Sequence, residues 1–376
     1  MGRFCEGAVA ALSSAAFSAE SPDALVLAPY AISADGGRGA SRAANQLGLR
    51  EVASMRVPAR VAAACWRALD FPSIEQVTGP VDVVHGTNFV VPPARRAGRV
   101  ATVHDLTPLT SPELCSKASL AYPGLVRRAL RRGAFVHVPS HFVASQVVEL
   151  LGAAPERVRV IAHGIDHLRP GAPGGSGAPR EPGAPHGTSR HRERPYVLAL
   201  GTVEPRKDLP TLVGAFSLLA ESLAELDLLI VGPAGSGEAR LRDAVASSGF
   251  GERVVRLGFL DEQDRTELLQ GAAVLAYPSL DEGFGLPPLE AMSVGVPVVA
   301  STGGALPETL GDGAVLVSPG DHRALADALA SVLEDAGSTA RLVARGRERA
   351  ASYTWGKTAK GLLELYRAAA SDSSGA

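Results

Sequence analysis

The sequence predicts an α/β chain made of two doubly wound, Rossmann-like domains. Three observations carry this. Short apolar runs without polar alternation recur along the whole chain, separated by helix-patterned stretches, the pattern of parallel strands covered on both faces. With 376 residues, 46% of them apolar and 20% charged, the chain has material for two cores. Between Arg169 and Arg190, eleven of 22 residues are Pro or Gly, which divides the chain nearly in half. The expected organisation is a first domain over 1–168, a linker over 169–194, a second domain over 195–355 and, over 356–376, a helix returning toward the first domain with a frayed tail.

The elements follow in order. In the first half the apolar runs Ala24–Ala28, Val81–His85, Val100–His104, Phe135–Pro139 and Val158–Ala162 are strand-like. Helical spacing of apolar residues marks Glu6–Ala16, Ala40–Leu47, Ala59–Leu69, Leu120–Arg132 and Ala144–Leu151. In the second half the strands are Tyr196–Leu200, Leu226–Val231, Val254–Gly258, Ala273–Pro278, Val296–Ala300 and Ala314–Val317. Helices are expected at Leu209–Ala220, Ala239–Ser247, Arg265–Gln270, Pro288–Ser293, His322–Leu333, Ser338–Ala351 and Thr358–Ala370. In folds of this kind ligands bind at the carboxyl ends of the strands, here in a cleft between two facing domains.

Composition narrows the function classes. Lys and Arg total 37 against 39 Asp and Glu, a net charge of −2, which argues against nucleic acid as a partner. Cys5, Cys65 and Cys115 are widely spaced and form neither a CxxC nor a disulfide framework; no metal cluster is visible. No apolar run reaches the ~18–20 residues that span a bilayer, and Met1–Ala10 lacks the apolar core of a signal peptide. The expected location is the cytoplasm, with peripheral contact at the inner face of the plasma membrane left open.

Two stretches carry chemistry. The first runs from Tyr277 to Ala300: strand, glycine loop, helix, turn, strand. Gly283 and Gly285 let backbone approach a ligand, and the helix start that follows is a place for an anion. Glu282 in the loop and Glu290 one turn into the helix are separated by seven residues; carboxylates of this kind suit vicinal sugar hydroxyls. The competing reading is a plain strand-to-helix turn with surface glutamates. In the second stretch, Gly201–Phe216, Arg206 and Lys207 project beyond the strand Tyr196–Leu200, where a diphosphate lies in such sheets. The competing reading is a solvated loop pair.

These stretches resemble the signature of the family 4 glycosyltransferases, retaining enzymes of GT-B fold, and the Glu-Pro-Arg-Lys segment at 204–207 is similar to their mannosyltransferase-like subgroup. Val103–Leu109, Val138–Ser145, Val160–Asp166 and Ser301–Glu308 stand in the family's order, so the resemblance covers nearly the whole chain outside the linker. It implies a nucleotide-diphosphate sugar, of GDP or UDP type, as co-substrate, with no metal and no other cofactor. The acceptor would be a glycan or a lipid-linked hydroxyl. Arg206 and Lys207 would bind the donor diphosphate, and Glu290 the ribose. Glu282 would face the sugar beside the backbone of Gly283, Phe284, Gly285 and Leu286, and Gly201 would line the same site. His104 would point at the sugar, while His85, His137, His141 and His163 are read as structural. Gly232 and the Gly258–Asp261 loop fall where the family's base packs. Retention of configuration would come from same-face attack within an ion pair.

The opening Gly2-Arg3-Phe4 is similar to the end of the family's first glycine loop, with Gly2 as a phosphate contact. The first strand of the N-terminal domain is therefore expected to be missing, leaving unpaired edges in mid-sheet. Arg127, Arg128, Arg131 and Arg132 cluster on one face of a helix; they are either a solvated face or a contact for anionic lipid. Two other function classes stay open: a phosphorylase or epimerase of the same fold, and an inactive sugar-nucleotide-binding homologue.

Overall fold

The computed structural model describes residues 2–13, 25–32, 52–55, 57–58, 61–62, 65–66, 71–166 and 194–374. The Ala40–Leu47 helix, most of Ala59–Leu69 and all but Arg194 of the 169–194 linker lie outside these residues. The chain divides into two compact units: Met1–Leu109 with Ala118–Gly164 and Trp355–Ala376, and Thr110–Lys117 with Ile165–Thr354.

In the first unit, strands β3 (Val83–Gly86), β4 (Gly98–Thr102), β5 (Phe135–Val138) and β6 (Val158–Val160) form a parallel sheet in that order. A separate parallel pair joins β1 (Tyr30–Ile32) to β2 (Ala53–Met55). The expected strand Ala24–Ala28 is corrected here. Ala24 lies outside the described residues; Leu25 and Leu27 pack on the core and Val26 is 86% exposed, while the ladder begins only at Tyr30. An apolar run becomes a strand only where a partner takes its N–H and C=O groups. Strand β2 was missed because Ala53–Met55 is too short and too mixed to show a period.

Phe4, Ala8 and Leu12 recur every four residues along the helix Gly2–Leu12, and this stripe packs on Trp355, Leu362 and Leu365 of the helix Trp355–Ser374. A Cβ on Gly7 would lie 2.1 Å from the Trp355 ring, so only glycine admits this approach. The helix Tyr122–Arg131 carries the arginine cluster, and two of its arginines are tied down: Arg127 donates to Leu150 O and Arg128 to Val91 O.

The second unit holds a six-stranded parallel sheet. Its strands are β7 (Tyr196–Leu200), β8 (Asp227–Val231), β9 (Val254–Gly258), β10 (Val274–Tyr277), β11 (Val298–Ser301) and β12 (Val315–Val317). Their order is β12-β11-β10-β7-β8-β9. The chain winds outward from β7 through β8 to β9, then returns to β10 on the other side of β7. The winding thus reverses between β7 and β10, and in open α/β sheets that reversal opens a crevice at the strands' carboxyl ends. Residues of β7, β8, β10 and β11 are buried throughout, as their unbroken apolar runs require.

Candidate active site

The reversal point is where the charged residues meet. The segment after β7 turns at Gly201, passes through a short 3₁₀ turn at Pro205–Lys207 and enters the helix Leu209–Ala220. Gly201 has φ of +146°, and a Cβ there would sit 3.1 Å from Lys207 Cε, so the lysine stem lies over bare backbone. The segment after β10 runs alongside: Leu280 N–H donates to Arg206 O at 2.8 Å, and Arg206 Nη1 to Asp281 O at 2.9 Å.

Glu282 bridges both cations. Its Oε2 accepts from Arg206 Nη1 at 2.9 Å and its Oε1 from Lys207 Nζ at 2.5 Å. The three side chains are 9%, 18% and 12% exposed, in the order Glu282, Arg206, Lys207. Burial pushes the Glu282 carboxyl upward, but Arg206 and Lys207 outweigh it and hold the group at about 2. Burial, opposed by Glu282, lowers the Lys207 ammonium from its ordinary value. Lys207 Nζ also donates to Tyr277 Oη at 2.6 Å, and burial with the nearby Glu282 charge raises that phenol. Two cations and one anion leave one net positive charge in a mostly buried setting, where an anion is attracted far more strongly than in water.

The Glu282 loop is fixed from a third side. Ala305 N–H donates to Glu282 O at 2.7 Å, and the Ser301 hydroxyl to Ser279 O. Gly304 lies against this loop at φ of +62°, with room for no Cβ: Glu282 O would be 2.3 Å away. Gly285, at φ of +99°, caps the helix Leu286–Val294. Pro287 and Pro288 occupy its first turn and supply no N–H. The expected donor array at this helix start is therefore narrower than a generic one.

Glu290 is held elsewhere. It is 0% exposed, and its Oε2 accepts from Arg265 Nη2 of the helix Glu262–Gly271. The competing expectation of a surface glutamate is corrected for this residue, and nothing local points to its partner, since Arg265 stands in the polar run Glu-Gln-Asp-Arg-Thr-Glu. Tyr277 stood inside the motif unremarked, because an apolar strand end gives no sign of a lysine partner.

Gly2 and His104 belong to the first unit. Gly2 is the first residue of the helix Gly2–Leu12. His104 follows β4 and is half-buried; its Nε2 bonds to Thr87 O at 3.0 Å and its ring meets Phe4 edge-on at 5.6 Å. Burial lowers its imidazole to about 4, so it is neutral at pH 7. Three of the histidines read as structural, His85, His137 and His163, surround the same Phe4, and two of them form a directed chain; His141 is exposed at the start of its helix. Ile161 O can only accept, so His137 Nε2 carries the proton, and His137 Nδ1 accepts from the Thr102 hydroxyl. Thr102 in turn accepts from His85 Nε2, whose Nδ1 accepts from the Tyr366 hydroxyl at 2.7 Å.

Comparison with known proteins identifies the family and the fold. The model for group 1 glycosyl transferases matches residues 186–349 and that for glycosyltransferase family 4 matches residues 34–169. An Escherichia coli O-antigen chain mannosyltransferase B is 30% identical over 293 residues, covering 76% of this chain and 74% of the relative. A Nocardia farcinica D-inositol 3-phosphate glycosyltransferase is 33% identical, over 78% of this chain and 68% of the relative. The solved Anabaena Alr3699/HepE, in complex with UDP and glucose, superposes with a TM-score of 0.65 at 21% identity, covering 86% of this chain and 88% of that one. The architecture is a two-domain α/β fold of GT-B type. This chain is a glycosyltransferase and belongs to family 4.

Proposed function

We propose that the chain transfers a hexose, mannose by preference, from a nucleoside-diphosphate sugar of GDP or UDP type to a hydroxyl of a glycan or lipid-linked acceptor, with retention of configuration. The observation that carries this is the Arg206–Glu282–Lys207 cluster at the reversal between β7 and β10. Cleaving a glycosyl phosphate builds negative charge on the departing diphosphate, and preorganised buried cations stabilise it without reorganisation. Arg206 grips two oxygens with its fork while Lys207 acts as a point charge. Glu282 holds both, Asp281 O also holds Arg206, and Tyr277 also holds Lys207. Because two side-chain cations serve the leaving group, the reaction as read needs no metal ion. Glu282 and the Gly283–Leu286 backbone line the sugar, Glu290 takes the ribose hydroxyls, and Gly201 keeps the lysine stem low. His104, neutral at pH 7 with its Nε2 proton given to Thr87 O, presents Nδ1 as an acceptor for a sugar hydroxyl, and Gly2 belongs to the first unit's phosphate-facing end.

Mannose is favoured because the Escherichia coli relative is a mannosyltransferase matched along three quarters of both chains. A nucleotide donor is consistent with the UDP held by the Anabaena neighbour. No helix among the described residues is long and apolar enough to cross a membrane. The cytoplasm, with lipid-linked acceptors met peripherally, fits the reading. The test is a panel of GDP-, UDP- and ADP-sugars. A cognate nucleotide at 100 times its Kd adds about 2.7 kcal/mol of stability, and sugar transfer should follow only with an acceptor present. Acceptor-independent phosphorolysis, or no stabilisation by any nucleotide, would refute the proposal.

A further inference from the structure

Position 265 lies on the buried side of its helix. The residues three and four further on, Leu268 and Leu269, are fully buried core residues. An aliphatic side chain would be the ordinary occupant. Arg265 stands there instead, with 13% of its side chain exposed, and its Nη2 meets the Oε2 of Glu290. The arrangement is rigid from below: Asp261 caps the helix by accepting from Asp264 N–H at 2.9 Å, and Arg265 N–H donates to Asp261 O at 3.0 Å. The second terminal nitrogen, Nη1, is buried, 3.6 Å from Glu262 Oε1, and makes no hydrogen bond among the described residues.

A fully buried carboxylate without a cation is strongly disfavoured, and in isolation it gives up its charge by taking a proton. A protonated carboxyl can accept from only part of a diol. A planar guanidinium bonded to the carboxylate fixes its orientation. We propose that Arg265 is a positioning residue that fixes the Glu290 carboxylate for the ribose diol of the donor, and that it thereby sets this protein's discrimination between ribonucleotides and deoxyribonucleotides. The inference rests on the reading that Glu290 takes the ribose.

The experiment is calorimetric titration with UDP and GDP, then with the 2′-deoxy and 3′-deoxy forms of whichever binds. The native chain should prefer the ribonucleotide by roughly tenfold or more, the scale of a hydrogen bond to a charged group. In Arg265→Met the preference should fall to near unity, mostly through weaker ribonucleotide binding, with affinity for the deoxy forms little changed. Arg265→Lys, which restores charge but not the fork, should recover part of the preference. A merely structural role would weaken both nucleotide forms alike. Native-level preference in Arg265→Met overturns the inference. Should that variant not fold, Arg265→Lys decides: reduced preference supports the inference, and unreduced preference overturns it. Glu290→Gln separates the two layers. If it leaves the preference intact, Glu290 does not take the ribose and the underlying reading fails. If it abolishes the preference while Arg265→Met does not, the positioning role alone fails.

Discussion

Glu282→Gln isolates the charge that joins Arg206 to Lys207. The replacement keeps the shape and removes the anion between two partly buried cations at 2.9 and 2.5 Å. Two independent estimates give its cost. Removing one partner of a buried ion pair typically costs about 3–5 kcal/mol. A carboxyl held at about 2 rather than at 4.5 corresponds to roughly 3 kcal/mol at ~1.4 kcal/mol per pH unit. We therefore expect Glu282→Gln to lose about 3 kcal/mol at pH 7 in urea melts. The pH dependence has a definite sign. The folded value lies below the unfolded one, so the stabilisation is complete above about pH 4.5 and is lost as pH falls toward 2. Glutamine does not titrate, so the gap between native and variant should be constant from pH 7 to about 5 and should narrow below that. The two cations left without their anion should also bind inorganic pyrophosphate more tightly in the variant. A loss under about 1 kcal/mol, or a gap that stays constant in acid, would refute the picture of a carboxylate held charged between two cations.

Two further outcomes are expected. Burial lowers the fully buried His137 to about 4, below its unfolded value near 6.5, so the unfolded chain takes the proton first and stability should fall as pH drops from about 6.5 toward 4. Melts of the native chain and His137→Gln over that range should show a slope lower by up to ~1.4 kcal/mol per pH unit in the variant, and equal slopes would mean that His137 is not held neutral. Gly304→Ala would place a Cβ 2.3 Å from Glu282 O at a φ of +62°; it should cost about 2 kcal/mol or more and depress transfer activity, and an unchanged melt would show that the loop yields freely.

The sequence by itself determined the architecture of the second unit. Tyr196–Leu200, Val254–Gly258 and Leu209–Ala220 appear with the bounds that their apolar runs indicate, because a short apolar strand and an apolar helix with proline in its first turn leave local signatures. It also named Arg206, Lys207 and Glu282, since residues that follow a strand's carboxyl end are legible from position. The first unit was less legible: Ala24–Ala28 looked like a strand but found no ladder, and the residues that did pair, Tyr30–Ile32 and Ala53–Met55, carry too little pattern. Only the tertiary structure decided which charges meet. Lys207 and Glu282 are 75 residues apart, Arg265 and Glu290 are 25 apart, and His85 and Tyr366 are 281 apart. Periodicity reports which face of an element is buried, over a few turns. It does not report which other element covers that face, and the partner on that element decides whether a buried arginine or histidine is charged, neutral, or held for a ligand.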